Sequence, residues 1–279
     1  MTAESMSMEE MERLMGLSLE EKIAHSKKII KEAIDKFGVD NLALAWTGGK
    51  DSTTMTWLFR ESCKELGVKM PMCMFIDEGY VFEEIWDIFN QLKKEWNLDA
   101  RIAKNIDVAS KAEKVGDMVK VSSLNERNRK EIALLEITDE EFPFEPESFI
   151  GNHLMKTIAM NMFLEENKIT ALATAIRWDE QEARVQETFF SPRKNPPHMR
   201  IQPILHFKER DIWDFIFQYK VPFCTLYNIG YRSLGAKGST TKMSDIPAWE
   251  QDLENTYERA GRGQGKEEIM SKLRDLGYM

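Results

Sequence analysis

Apolar residues recur along this chain with two different periods. Over positions 19–37 they fall three and four apart, at Ile23, Ile30, Ile34 and Phe37, which marks one face of a helix. Ser18 and Glu21 have capping-box spacing ahead of that run, and Gly38 stands at the C′ place, so the spacing predicts a helix over 19–37. An unbroken apolar run over 42–46 predicts a strand covered on both faces. The helical period returns over 52–66 and stops at Gly67. A strand over 72–76, a helix over 82–96 and a strand over 100–103 follow, with Trp86, Phe89, Leu92 and Trp96 as the buried stripe of that helix. After a polar interval the pattern resumes with a helix over 152–166, strands over 171–175 and 200–204, and a helix over 209–219. Strands alternating with helices predict an α/β fold, a parallel sheet with helices on both faces. Such sheets bind ligands beyond the carboxyl ends of their strands. Polar residues suited to that place follow three of the expected strands, at positions 47–52, at Asp77 and at Arg177.

Three stretches break the alternation. Positions 106–150 are polar, and 139–146 carry acidic and proline residues that interrupt regular structure. They read as a partly helical insertion near the mouth of the site, or as a solvated loop. Positions 228–279 are rich in Gly, Ser, Lys and Arg and read as a tail able to close over a ligand. Positions 1–17 form an acidic, methionine-rich amphipathic extension suited to subunit contact. Its start lacks the basic residues and apolar centre of a signal peptide. The expected organisation is an extension at 1–17, a nucleotide-binding α/β domain at 18–227 and the tail at 228–279.

Composition narrows the classes of function. The net charge of −9 argues against nucleic acid as a partner. No run is long and apolar enough to span a bilayer. Cys63, Cys73 and Cys224 are scattered, without the spacing of a disulfide framework, a zinc ribbon or an iron–sulfur site. No protein-held metal is expected, and a reducing cytoplasm is the expected compartment.

The chemistry concentrates in Thr47-Gly48-Gly49-Lys50-Asp51-Ser52-Thr53, between the first strand and its helix. Amides freed by Gly48 and Gly49, with a helix N-terminus behind them, make an anion cradle, and Lys50 adds a full positive charge. A polyphosphate is the expected ligand. The Walker A pattern fails, because Asp51 follows Lys50 where Ser or Thr is needed and position 44 is Leu; the Rossmann glycine pattern fails too.

The stretch resembles the PP-loop, Ser-Gly-Gly-x-Asp-Ser, of the ATP pyrophosphatases, with Thr47 in place of the first Ser. The resemblance implies an adenine-nucleotide α-hydrolase-like fold, ATP as cosubstrate with Mg2+, and cleavage between the α- and β-phosphates. Thr47, Gly48, Gly49, Asp51, Ser52 and Thr53 would then bind phosphate and Lys50 would be catalytic. Asp77-Glu78-Gly79 resembles the Asp-Thr-Gly segment of the sulfate-activating and sulfonucleotide-reducing branch, with Glu78 for Thr. Asp77 would contact the nucleotide or its magnesium, or simply cap a helix. Arg177-Trp178-Asp179-Glu180 with Arg184 resembles that branch's Arg-Arg-Asp-Glu…Arg segment. Arg177 and Arg184 would hold sulfate or the α-phosphate bidentately, or pair with Asp179 and Glu180 at the surface.

Further segments, Met155-Lys156-Thr157, the stretch from Ile201 to Trp213, and Glu258-Arg259 through Arg262, resemble the sulfate adenylyltransferase small-subunit branch. That branch implies a separate GTPase large subunit, an oligomeric assembly, and a tail whose Arg232, Arg259 and Arg262 close over anions. Gly235 lies in a Gly-Tyr-x-Ser-x-Gly stretch shared with FAD synthase and phosphoadenylylsulfate reductase. The branch's Gly-Cys-Trp-Pro segment is replaced by Gly235-Ala236-Lys237-Gly238, which leaves a different acceptor or no GTPase partner open. The alternatives are a phosphoadenylylsulfate reductase, whose C-terminal thiolate this chain lacks, an FAD synthase, or an ATP-binding subunit without turnover.

Overall fold

A computed structural model describes residues 6–261. After α1 (Met8–Met15) and α2 (Leu19–Phe37), the chain runs β1 (Leu42–Ala45), α3 (Lys50–Leu66), β2 (Met72–Ile76), α4 (Glu83–Glu95) and β3 (Ala100–Ala103). The capping box forms as expected. Ser18 accepts from the Glu21 amide, and the Glu21 carboxylate accepts from the Ser18 amide. Gly67 ends α3 in the left-handed conformation.

The insertion then folds as α5 (Ile106–Ala109), β4 (Met118–Lys120), α6 (Glu126–Leu134) and β5 (Glu141–Pro143). Strands β4 and β5 pair as a small antiparallel ribbon. The segment is a structured module with its own core. Val108, Val119, Leu124, Ile132, Phe142 and Phe144 pack on Leu154, Met155 and Ile158. The expected helix over 152–166 is composite. Helix α7 (Phe149–Asn152) runs into a π-turn (His153–Ile158) and then α8 (Ala159–Glu166). Strand β6 (Ala171–Ala173) follows.

One strand escaped the sequence pattern. β7 (Phe190–Lys194) pairs antiparallel with β8 (Pro197–Ile201), and β8 lies earlier than the expected 200–204. Pro192, Pro196 and Pro197 interrupt the apolar alternation that marks a strand. As the edge strand of its sheet, β7 can carry a proline that donates no hydrogen bond. Helix α9 (Glu209–Tyr219) packs on α3 and α2.

Among the described residues the main sheet has the order β3-β2-β1-β6-β8-β7, parallel apart from β7. Alternation along β1 sends Leu42 and Leu44 to one face, against α2, α3, α4 and α9, and Ala43 to the other, against Met160, Phe163 and Leu164 of α8. Each of the two leucines of β1, fully buried, contributes about 1.5–3 kcal/mol. The order reverses between β1 and β6, so a crevice opens at their carboxyl ends. The N-terminal helix turns its apolar face inward. Met11 and Leu14 pack on Trp178 and Leu205, so the expected subunit-contact face is used within the chain. No helix of the described residues is long and apolar enough to cross a membrane.

Candidate active site

The crevice between β1 and β6 holds two adjoining cavities of about 310 and 220 Å³. Both are lined by Thr47 and Gly49 after β1, by Thr174 and Ile176 after β6, and by Arg184, Leu234 and Arg259. The glycine loop adopts the geometry its residues require. Gly48 has φ +74°, and a Cβ there would sit 3.2 and 3.3 Å from methyl groups of Ile85 and Ile88 on α4. Gly49 is the N-cap of α3 with no side-chain cap. Helix geometry leaves the first-turn amides without intrahelical acceptors. The Lys50 amide donates to the Tyr227 hydroxyl at 3.0 Å, and burial pushes that phenol up to about 12, so it stays protonated. Those of Asp51 and Ser52 stand at the end of the α3 dipole that favours anions. The Thr47 amide donates to Ser52 Oγ at 3.2 Å, and their two hydroxyls lie 3.1 Å apart, which closes the loop on itself.

Under the loop lies a dense ion cluster. Lys50 Nζ, 1% exposed, donates to Glu258 Oε1 at 2.5 Å and Asp51 Oδ2 at 3.2 Å, with Glu209 Oε1 3.8 Å away. Arg177, fully buried, donates to Asp51, to Glu258 and to Asp179. Burial opposes charge on these groups, but the mutual attraction wins. Glu258 is held well below the usual carboxylate range by Arg177 and Lys50, and Arg177 is raised well above its ordinary value by Asp179 and Glu258. Glu209 is the exception. Burial, then repulsion from Glu258, raises it above its ordinary value.

The structure brings together Thr47, Gly49, Lys50, Asp51, Ser52, Arg184 and Arg259 on the walls of the smaller cavity, and Gly235 on the larger. Gly48 shapes the loop from behind. Other predicted residues do different work. Thr53 is fully buried, and its hydroxyl accepts from the Trp46 indole at 3.2 Å instead of facing a ligand. Asp77 accepts from Lys104 and from the Gly79 amide, both at 2.8 Å, which closes a turn ahead of α4; Phe82 is the N-cap of that helix, so Asp77 caps no helix, and it lines neither cavity. Arg177 lines neither cavity; it locks Asp51 to Glu258. Arg184 and Arg259 share Glu180 in buried pairs. The surface pairing considered for Arg177 and Arg184 thus exists, but in the interior. Arg232 is a strut. It grips Glu209 and the carbonyls of Leu253 and Thr256, pinning the segment after 228 to α9. Arg262 and the remainder of the expected tail, 263–279, lie outside the described residues.

Sequence reasoning missed Glu258 as a partner of Lys50, Tyr227 as the acceptor of the Lys50 amide, and Lys156 and Arg200 on the larger cavity. Lys156 enters that cavity from the π-turn, paired with Glu78 and Glu147. Arg200 Nε donates to His198 Nε2 at 2.9 Å, and burial drops that imidazole to about 4. The usable signals were the Lys156 segment already singled out and the basic residue opening the expected strand at 200.

A glycine loop between the first strand and its helix, set at the reversal point of a parallel sheet, defines an α/β protein of the adenine-nucleotide α-hydrolase-like fold. The chain belongs to the phosphoadenosine phosphosulfate reductase domain family, whose model matches residues 41–242. Among curated relatives, it is 23% identical to sulfate adenylyltransferase subunit 2 of Brucella anthropi, over 82% of this chain and 74% of that protein. It is 22% identical to the protein of the same name from Sulfurovum, over 85% of this chain and 75% of that one. Among solved structures, Candida glabrata FMN adenylyltransferase superposes with a TM-score of 0.63 at 17% identity, covering 90% of this chain and 93% of that one. A phosphoadenylyl-sulfate reductase from Candida auris gives 0.56 at 17%, covering 85% and 98%.

Proposed function

We propose that this chain transfers an adenylyl group from ATP to a small anionic acceptor, with sulfate as that acceptor, and releases pyrophosphate. One observation carries the reading: the glycine loop opens, at the reversal point of the sheet, onto a cleft whose other wall bears Arg184 and Arg259. The two relatives named as sulfate adenylyltransferase subunit 2, which align over most of the chain, favour sulfate. Candida glabrata FMN adenylyltransferase has been solved with ATP, which supports nucleotide binding by this fold.

In the proposed reaction an acceptor oxygen attacks the α-phosphorus of ATP while the bond from it to the bridging oxygen breaks. Sulfate is already ionised, so positioning and charge stabilisation supply the catalysis, without a strong base. The Asp51 and Ser52 amides and Lys50 would hold the departing pyrophosphate. Arg184 and Arg259 would hold the acceptor, and Arg177 is a positioning residue acting through Asp51 and Glu258. Mg2+ accompanies ATP in the resemblance. Among the described residues no group of three His, Cys, Asp or Glu side chains is placed to hold a metal, and Asp51 and Glu258 already bridge Lys50 and Arg177. A magnesium ion would therefore come with ATP, held chiefly by its phosphates and by one or two carboxylates at most.

Adenylylsulfate is a high-energy mixed anhydride, so its net formation calls for a driving partner. A separate GTPase large subunit in a cytoplasmic assembly fits that need. The reductase alternative is disfavoured by the thiols. Cys63, Cys73 and Cys224 are all buried, and burial pushes them up to about 11, 12 and 11, away from the thiolate such chemistry needs.

Pyrophosphate release from ATP, measured with sulfate, with FMN and with neither, and repeated with a candidate GTPase, tests the reading. Release that disappears when only sulfate is omitted supports it. Release with FMN alone would make the protein an FMN adenylyltransferase. ATP binding without release for any acceptor would make it a nucleotide-binding subunit.

A further inference from the structure

The seat where Lys50 would grip a phosphate is already taken by the chain itself. The Lys50 ammonium donates to Glu258 at 2.5 Å, to Asp51 at 3.2 Å and to the Arg232 carbonyl at 3.4 Å. All three of its hydrogens have acceptors. Around it Lys50, Arg177 and Arg232 meet the carboxylates of Asp51, Asp179, Glu209 and Glu258, so the cations here are already matched by carboxylates. Like charges brought together away from water repel strongly. A polyphosphate therefore reaches Lys50 only by exchange with one of these carboxylates.

The four differ in how firmly they are held. Asp51 is fixed in the first turn of α3. Asp179 caps the Glu209 amide at 2.7 Å and does not touch Lys50. Glu209 sits on α9 and is gripped by Arg232. Glu258 comes from the short turn Glu258–Gly261 and lines the smaller cavity directly beside the loop. It alone combines contact with both Lys50 and Arg177 with a place on a short turn at the cavity wall.

We propose that Glu258 is an internal competitor for the pyrophosphate position: its carboxylate occupies the anion seat of Lys50 and withdraws when a polyphosphate enters. The proposal rests on the adenylyl-transfer reading. It makes Glu258 a specificity determinant, because only a ligand with enough negative charge to replace a carboxylate between two cations can take the seat. Pyrophosphate and the triphosphate of ATP meet that condition, whereas a lone monoanion does not.

Calorimetric titration of inorganic pyrophosphate and of ATP into the wild type and Glu258→Gln provides the test. The glutamine keeps the shape and removes the competing charge, so pyrophosphate is expected to bind at least about tenfold more tightly to the variant. Equal or weaker binding would show that Glu258 props Lys50 in place, and would overturn the proposal. A crystal structure of the wild type with pyrophosphate decides the matter independently of how well the variant folds. The expected result is a pyrophosphate oxygen on Lys50 Nζ with Glu258 beyond hydrogen-bond distance. Pyrophosphate bound in the cleft with Glu258 still on Lys50 overturns it. If neither protein binds pyrophosphate or ATP, the adenylyl-transfer reading itself falls, and this proposal with it.

Discussion

The two walls of the cleft are built by different means. One wall is a single stretch, residues 47–52, whose shape comes from backbone geometry: the positive φ of Gly48, the N-cap at Gly49 and the first turn of α3. The facing wall is assembled from Thr174 to Ile176, Arg184, Leu234 and the turn at Glu258 and Arg259. Its charged members are fixed by ion pairs between residues 79 and 208 positions apart, Glu180 with Arg259 and Lys50 with Glu258. A wall made by local conformation keeps its shape when a side chain changes. A wall made by buried ion pairs does not, because each lost partner strands a charge away from water.

Four substitutions sharpen or break this contrast. The largest effect is expected at Lys50, which belongs to both walls. Lys50→Ala should cut pyrophosphate release by at least ~100-fold, by analogy with removing one transition-state donor; near-normal turnover would remove the loop from the chemistry. Arg177→Ala should cost about 3–5 kcal/mol of unfolding free energy, since Asp51, Asp179 and Glu258 lose their shared cation. Denaturant unfolding measures this, and a loss below 1 kcal/mol would return Arg177 to the role of a ligand-facing group. Gly48→Ala imposes a left-handed conformation on a residue with a side chain, for about 1–2 kcal/mol in the same assay. An unchanged midpoint would mean that the loop can take another shape. The smallest effect is expected for Tyr227→Phe, which leaves the Lys50 amide without its acceptor at a cost of about 1 kcal/mol. A cost well above this would mean that the local wall also leans on tertiary contacts.

The same contrast explains what could be read in advance. The helix over 19–37, the strand before the loop and the glycine cradle were legible because caps, apolar period and glycine chemistry act over a few residues. The edge strand β7 was not, because Pro192 speaks against a strand and only its place at the margin of the sheet makes it tolerable. The module over 106–150 looked merely polar, since its small core draws on residues beyond it, from Leu154 to Ile158. Arg177 and Arg184 were both marked as candidate cations of the site. Nothing local reveals that the first turns into the interior while the second faces the cavity; that choice belongs to Asp51 and Glu258, far off in sequence. Thr53 failed for a nearer reason: in a helix beginning at Lys50 it falls on the side facing Trp46.

The pairing of Lys50 with Glu258 also has a consequence for synthesis. A ribosome makes the lysine 208 residues before the glutamate that neutralises it. Only in the last 81 residues of that interval is Arg177 present as well, and until Glu258 arrives the two cations lack one of their permanent counter-ions. Soluble phosphates of the cell are the natural temporary substitute, so the nascent polypeptide should hold such anions more readily than the finished molecule does.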